Sequence, residues 1–109
     1  MRLDNNAKLC GLIGLATKAG KIVYGTEACL EELKKKTVSL MLIAKDSSNR
    51  TKLTFQKETE KNNVAIYEIL SIEDLSKSIG KVNKAVVGIK DIGFSKKIIS
   101  IINGGEQIG

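Results

Sequence analysis

The sequence contains no histidine and only two cysteines, Cys10 and Cys29. Histidine is the usual general base near neutral pH and the commonest zinc ligand, and two isolated cysteines cannot replace it. No Gly-Lys-Ser/Thr follows the glycines of residues 11–25, so a phosphate-binding loop is not predicted either. We therefore expect no enzyme active site, no metal and no cofactor. An enzyme that relies on hydroxyls and lysines alone stays open as a weaker alternative.

Long apolar runs are also missing. No segment approaches the roughly 20 apolar residues that a membrane span needs, and the N-terminus lacks a basic-then-apolar signal pattern. These features predict a cytoplasmic protein. In a reducing compartment Cys10 and Cys29, each set in an apolar helical pattern, are expected to be core thiols, although the sequence leaves a disulfide between them open.

Aromatic residues are few, namely two Phe and two Tyr, and none stands in an alternating basic and aromatic strand motif. An aromatic stacking platform for RNA bases is therefore not predicted. Basic residues are plentiful: 18 Lys and Arg against 12 Asp and Glu give a net charge of +6. This excess favours a polyanionic partner, but a lysine-rich surface that merely aids solubility explains it equally well.

The 109 residues, of which 42% are hydrophobic, suffice for a single domain spanning residues 1–109 with a real core. Apolar residues at helical spacing predict helices over residues 9–19, from Gly25 or Thr26 to about 36, over 71–79 and over 94–102. The polar stretch 48–63 is interpreted as a further helix anchored by Leu53 and Phe55. The tail from Asn103 is expected to be frayed.

Three bounded apolar runs, 38–44, 64–70 and 85–89, have the length of strands and show little alternation. Such strands are expected to be buried on both faces. The alternating order of helices and strands predicts an α/β domain with helices on both faces of a small central sheet.

Candidate anion-binding positions follow from this order. Gly25-Thr26 opens a helix whose N-terminal N–H groups attract anions, and Lys18 and Lys21 precede it closely. The segments Lys45-Asp46 and Ile79-Gly80-Lys81-Val82 fall in connecting loops, where α/β folds tend to bind ligands. An apolar side chain beside a glycine and a lysine suits a loop that packs on an unstacked base and pairs with phosphate. Each segment alone is equally typical of an ordinary helix start or turn.

Four segments carry a resemblance to a known family. They are GLATKAGKIVYG at 14–25, LMLIAKDSSNRTK at 40–52, EDLSKSIGK at 73–81 and AVVGIKDIGFSKKI at 85–98. In their order and spacing they resemble the ribosomal protein L7Ae/L30e family, and within it the bacterial YlxQ-like branch. The resemblance covers nearly the whole chain. It implies a three-layer α/β/α sandwich with a small mixed central sheet, and non-catalytic binding of kink-turn or similarly bulged RNA in a ribosomal or translation-related ribonucleoprotein.

The resemblance also implies a binding site. The start of the second helix would enter the widened RNA groove, and its matching positions are Gly25, Thr26, Glu27, Ala28 and Glu31. Extruded bases would be covered by the loop Ile79, Gly80, Lys81 and Val82, with Lys45 and Asp46 at the border. Better-known members carry an Asn-Glu pair and a Lys where this chain has Glu27-Ala28 and Glu31. A monomeric RNA-binding protein is the expectation, and a protein-interaction module that has lost RNA binding is the alternative.

Overall fold

The computed structural model describes residues 5–104, so most of the tail that was predicted to fray lies outside the described residues. The helices are α1 (Asn5–Lys18), α2 (Thr26–Lys34), α3 (Asn49–Lys61), α4 (Ile72–Ser78) and α5 (Ile92–Ile102). The strands are β1 (Ile22–Tyr24), β2 (Leu40–Ile43), β3 (Ala65–Glu68) and β4 (Val86–Ile89). All five predicted helices and all three predicted strands are present. None of the helices in this range is both long and apolar enough to cross a bilayer.

The strands form one mixed sheet in the order β1-β4-β2-β3. β2 and β3 are parallel, whereas β4 runs antiparallel to both of its neighbours, with Ile22 opposite Ile89 and Ile43 opposite Val86. The strand β1 was not predicted from the sequence. It has only three residues, all half-buried, and three residues are too few for a periodic pattern to stand out.

Each face of the sheet is covered by its own hydrophobic core. On one face α1, α4 and α5 pack against Leu40 and Leu42. On the other face α2 and α3 pack against Met41 and Ile43. Because successive side chains of β2 point to opposite faces and all four are buried, the strand is apolar without alternation. The predicted three-layer α/β/α sandwich with a mixed sheet is thereby confirmed.

Two sequence-based expectations about burial are wrong. β3 is an edge strand, and its Ala65 and Glu68 are exposed; burial on both faces therefore holds for β2 and β4 only. Leu53 is 58% exposed and does not anchor α3, whereas Phe55 is fully buried as expected. Ser48 caps this helix, because its side-chain oxygen accepts a hydrogen bond from the Thr51 N–H at 3.1 Å.

The two cysteines form no disulfide. Cys29 lies on the buried face of α2, and burial raises the pKa of its thiol to about 12. Its Sγ donates a hydrogen bond to the Val23 carbonyl at 3.7 Å. Cys29 is thus a core thiol, as expected, whereas Cys10 is only half-buried.

Candidate functional site

Three segments that were singled out from the sequence meet at one end of the sheet. The Gly25 N–H donates to the Val86 carbonyl at 3.1 Å, and the Ala44 N–H donates to the Ala85 carbonyl at 2.9 Å. These bonds bring the start of α2 and the turn after β2 beside the loop that leads into β4. We refer to Gly25–Ala28 together with Gly80–Lys84 as the α2–loop surface.

Gly25 fixes the direction in which α2 begins. Its backbone has φ 90° and ψ 150°, a region open essentially to glycine alone. The Gly25 carbonyl accepts the first helical bond, from the Cys29 N–H at 3.0 Å, and no side chain caps the helix. The next N–H groups, from Thr26 to Ala28, have no acceptor within the helix. This end of α2 is therefore an open, partly positive terminus.

The loop Gly80–Lys84 is held in place by Ser76, which was not predicted as a site residue. The Ser76 side chain is buried; its Oγ accepts from the Lys84 N–H at 2.7 Å and donates to the Lys84 carbonyl at 3.1 Å. The Ser76 carbonyl accepts from the Lys81 N–H at 2.9 Å. A buried hydroxyl that both donates and accepts a hydrogen bond favours one specific conformation of the loop.

Tyr24 connects this loop to the start of α2. The ammonium groups of Lys81 and Lys84 lie 5.3 Å and 5.5 Å from the centroid of its ring. Both distances fall within the range of cation–π attraction. Tyr24 and Lys84 were not predicted as site residues; the only available signal was that Tyr24 is one of four aromatic residues and directly precedes Gly25.

The apolar side chain that the loop presents to solvent is Val82 and not Ile79. Val82 is 81% exposed, whereas Ile79 is only 4% exposed and belongs to the core beneath α4. The expectation that Ile79 covers extruded bases therefore has to be corrected, because its side chain is already packed inside the protein. Gly80 follows with φ 72°, which turns the chain outward after Ile79.

Asp46 borders the same region. Its Oδ1 accepts a hydrogen bond from the Ile72 N–H at 2.8 Å and so supports the start of α4. The adjacent Ser71 caps this helix, because its Oγ accepts from the Asp74 N–H at 3.0 Å. An open groove of about 520 Å³ extends from Asp46 to the loop. Its lining includes Asp46, Ile72, Ser76, Lys77, Lys81 and Val82. Lys45, beside it in sequence, is exposed.

Lys18 and Lys21 do not join this surface. The Lys21 carbonyl accepts from the Lys90 N–H at 2.8 Å, at the end of β1 opposite to Gly25. Lys18 ends α1 close to that turn. The two lysines are near Gly25 in sequence only, because the strand β1 separates them from it.

Glu27 and Glu31 are exposed and lie one turn apart on α2. They put negative charge beside an open helix terminus, while Lys81 and Lys84 supply positive charge from the loop. Within residues 5–104 no cluster of three or more His, Cys, Asp or Glu is placed to hold a metal ion. The chemistry that the surface offers is thus hydrogen bonding through backbone N–H groups, ionic contact through lysines and one exposed apolar side chain.

Known proteins are similar to this chain in sequence and in fold. The profile of the Ribosomal protein L7Ae/L30e/S12e/Gadd45 family matches residues 7–99. A protein of Enterococcus faecium described as RNA-binding protein YlxQ is 34% identical over 104 residues, which cover 95% of this chain and 100% of that protein. RNA-binding protein YlxQ of Bacillus subtilis (strain 168) is 35% identical over 95 residues, 84% of this chain and 92% of that protein.

Two solved structures extend the comparison. A Bacillus halodurans protein of unknown function superimposes with a TM-score of 0.86 at 28% identity, over 89% of this chain and 98% of the other. The Giardia lamblia 15.5kD RNA binding protein has the same fold, with a TM-score of 0.76 at 18% identity over 97% of this chain and 91% of the other. The family resemblance noted in the sequence is confirmed: the chain belongs to the Ribosomal protein L7Ae/L30e/S12e/Gadd45 family.

Proposed function

We propose that the protein binds structured RNA, of the kink-turn or a similarly bulged type, through the α2–loop surface and without catalysis. The observation that carries the proposal is the meeting of the open N-terminus of α2 with a lysine-bearing loop at one end of the sheet. The two relatives described as RNA-binding proteins support it. The proposed setting is a cytoplasmic, ribosomal or translation-related ribonucleoprotein, with the protein as a single-domain monomer.

Each part of the surface would take a different part of the RNA. Backbone N–H groups at Thr26, Glu27 and Ala28 suit phosphate oxygens, since a helix terminus attracts anions and Gly25 has no Cβ to hold the RNA backbone away. A carboxylate accepts hydrogen bonds only, so Glu27 suits the N–H groups on the edge of a guanine. Recognition of this kind depends on the shape of the RNA more than on its sequence.

The loop would cover bases that the bulge turns outward. Val82 offers an exposed apolar contact, and the exposed Lys81 in the same groove would pair with a neighbouring phosphate. In this proposal Gly80 provides the turn, and Ile79 positions the loop from inside the core. Lys45 and Asp46 remain at the border, with one Asp46 oxygen engaged by the Ile72 N–H.

A second function is favoured by Glu31, whose charge would repel phosphate. The alternative is that the same fold serves as a protein-interaction module with weak or lost RNA binding. It predicts a partner whose binding is insensitive to ribonuclease, and no discrimination between kinked and unkinked RNA.

The test is a fluorescence anisotropy titration of a labelled kink-turn RNA, with an unkinked duplex of the same length as control, at several salt concentrations. We expect selective binding of the kinked RNA, with a log–log salt slope of about −3 to −5 for about four to six phosphate contacts. Equal binding of both RNAs, or no binding, would contradict the proposal.

Two variants with matched controls test the surface itself. Val82→Asp alters an exposed apolar side chain of the loop, and Leu53→Asp alters an exposed apolar side chain of α3. Lys81→Ala removes a loop lysine, and Lys57→Ala removes an exposed lysine of α3. We expect the loop variants to bind the kinked RNA more weakly and the α3 variants to bind as the natural sequence does. The site assignment is wrong if both members of a pair behave alike.

A further inference from the structure

Charge is unevenly divided among the helices. α1 and α5, which pack on the same face of the sheet, contain none of the 12 Asp and Glu residues, whereas α2, α3 and α4 each carry both signs. The lysines of this pair are Lys8, Lys18, Lys96 and Lys97. Asp91 stands just before α5, where its carboxylate accepts a hydrogen bond from the Phe94 N–H at 2.8 Å. The outer side of the α1/α5 pair is therefore basic.

An open groove of about 470 Å³ runs between these two helices, lined by Leu12, Lys96, Lys97, Ser100 and Ile101. Leu12 and Ile101 are half-buried and form an apolar floor, while Lys96 and Lys97 are exposed. Neither of these lysines forms an ion pair with a carboxylate of residues 5–104.

The apolar surface continues beyond the groove. Leu15, one turn after Leu12 on α1, is 55% exposed. Ile92, one turn before Lys96 on α5, is 64% exposed. These are two of the four large hydrophobic residues that the described part of the chain exposes. Apolar side chains rimmed by charges of one sign are typical of a binding surface.

We propose that the α1/α5 groove binds an acidic amphipathic helix of a partner protein. Leucine-like side chains of the partner would lie on Leu12 and Ile101, and carboxylates along its flank would face Lys96 and Lys97. This is the arrangement of an amphipathic helix in a groove, with apolar anchors for affinity and opposite charge for orientation.

RNA fits this groove less well than an acidic helix does. The backbone N–H groups along the middle of α1 and α5 are engaged within the helices, so they are not available to phosphates. Of the lining residues only the two lysines and Ser100 can donate a hydrogen bond, and no aromatic residue is among them to stack on a base. The groove also shares no residue with the α2–loop surface. The inference therefore goes beyond the proposed RNA binding and does not depend on it.

The test uses NMR spectra of the full-length ¹⁵N-labelled protein. The probe is a synthetic peptide of about 18 residues, with leucines at helical spacing and glutamates along one flank. A scrambled peptide of the same composition is the control. We expect saturable shift changes at Leu12, Lys96, Lys97 and Ile101 with the ordered peptide, weakened by added salt.

A double variant and its matched control complete the experiment. The double variant Lys96→Glu with Lys97→Glu should bind the peptide about tenfold more weakly or worse. The control, Lys34→Glu with Lys57→Glu at exposed lysines of α2 and α3, should bind the peptide as the natural sequence does. Circular dichroism checks that both fold. Shift changes elsewhere, equal binding of the scrambled peptide, or no saturation at about 1 mM peptide overturns the proposal. Binding to phosphatidylglycerol vesicles in place of the peptide overturns it too.

Added kink-turn RNA separates the two proposals. We expect the RNA to shift the NMR signals of residues in the α2–loop surface and to leave the peptide bound in the groove. Failure of the RNA to bind, with the peptide still bound in the groove, would contradict the proposed function alone. Displacement of the peptide by RNA would mean that the groove is part of the RNA surface, and would overturn the present inference.

Discussion

The ammonium nitrogen of Lys81 lies 5.3 Å from the centroid of the Tyr24 ring. Tyr24 ends β1 and Lys81 belongs to the loop before β4, so the contact joins the two halves of the α2–loop surface. Lys84 approaches the same ring at 5.5 Å. The loop lysines are therefore positioned by an aromatic side chain that need not touch RNA itself.

Replacing Tyr24 tests this positioning. Tyr24→Leu removes the ring. Because an exposed cation–π contact contributes about 0.5–1 kcal/mol, this variant should bind the kinked RNA about two- to fivefold more weakly. Tyr24→Phe keeps the ring and should bind normally. Anisotropy titrations of both variants decide the matter, and equal loss in both would mean that the hydroxyl, not the ring, matters.

Two glycines should respond oppositely to alanine. Gly25→Ala meets no atom within 4 Å, but φ 90° and ψ 150° strain any Cβ-bearing residue, so the free energy of unfolding should fall by about 1–3 kcal/mol. Gly11 lies in the interior of α1, exposed and with open space around it, and Gly11→Ala should raise stability by up to about 1 kcal/mol. Urea unfolding curves measure both changes. A neutral Gly25→Ala variant would contradict the strain argument.

Reversing the charge of Glu31 should strengthen RNA binding. Glu31→Lys replaces an exposed carboxylate on α2 by an ammonium, so we expect higher affinity for the kinked RNA and a salt slope steeper by about 1. Glu60→Lys on α3 makes the same change in net charge away from the proposed surface. Equal gains in the two variants would show a general effect of charge rather than a contact at Glu31.

Glu32 should make the free energy of unfolding depend on pH in the acid range. Its carboxylate accepts a hydrogen bond from the Thr37 hydroxyl at 2.5 Å and lies 3.3 Å from Lys90 Nζ, and these partners lower its pKa below the ordinary value for glutamate. A lowered pKa means that the stabilisation is complete above the pKa of the unfolded chain and is lost as pH falls through the folded pKa.

The Glu32→Gln variant should therefore be less stable than the natural sequence near neutral pH, and the difference should disappear in acid. Glu60→Gln, at an exposed carboxylate with no ion pair among the described residues, serves as control. Denaturant unfolding at a series of pH values measures the difference. A difference that does not change with pH would mean that charge at Glu32 is not the cause.

The layers of the fold were predictable because burial requires a regular spacing of apolar residues in each long helix and each central strand. The apolar runs of β2 and β4 and the helical spacing of α5 are examples. Exposure at an edge leaves a weaker mark: the run that contains β3 is apolar apart from Tyr67 and Glu68, and it shows no strict alternation. Its position depends on which strands pair across the sheet, and pairing involves residues far apart in the chain.

The candidate site was predictable only in part, for a similar reason. Gly25, Thr26, Lys81 and Val82 stand next to element boundaries, which glycines and polar residues reveal. Ser76 lies inside a helix, and its role depends on the loop that folds over it. Lys21 is close to Gly25 in sequence, but the three-residue strand β1 places the two at opposite ends of the sheet.

The position of β4, between β1 and β2, also has a consequence for folding during synthesis. During translation β4, one of the two central strands, leaves the ribosome after every other strand, so β1 has no partner until residues 86–89 have emerged. Pairing between residues so distant in sequence is the slow part of folding. The two halves of the α2–loop surface are joined by the same event, so a nascent chain could not present it before its sheet is complete.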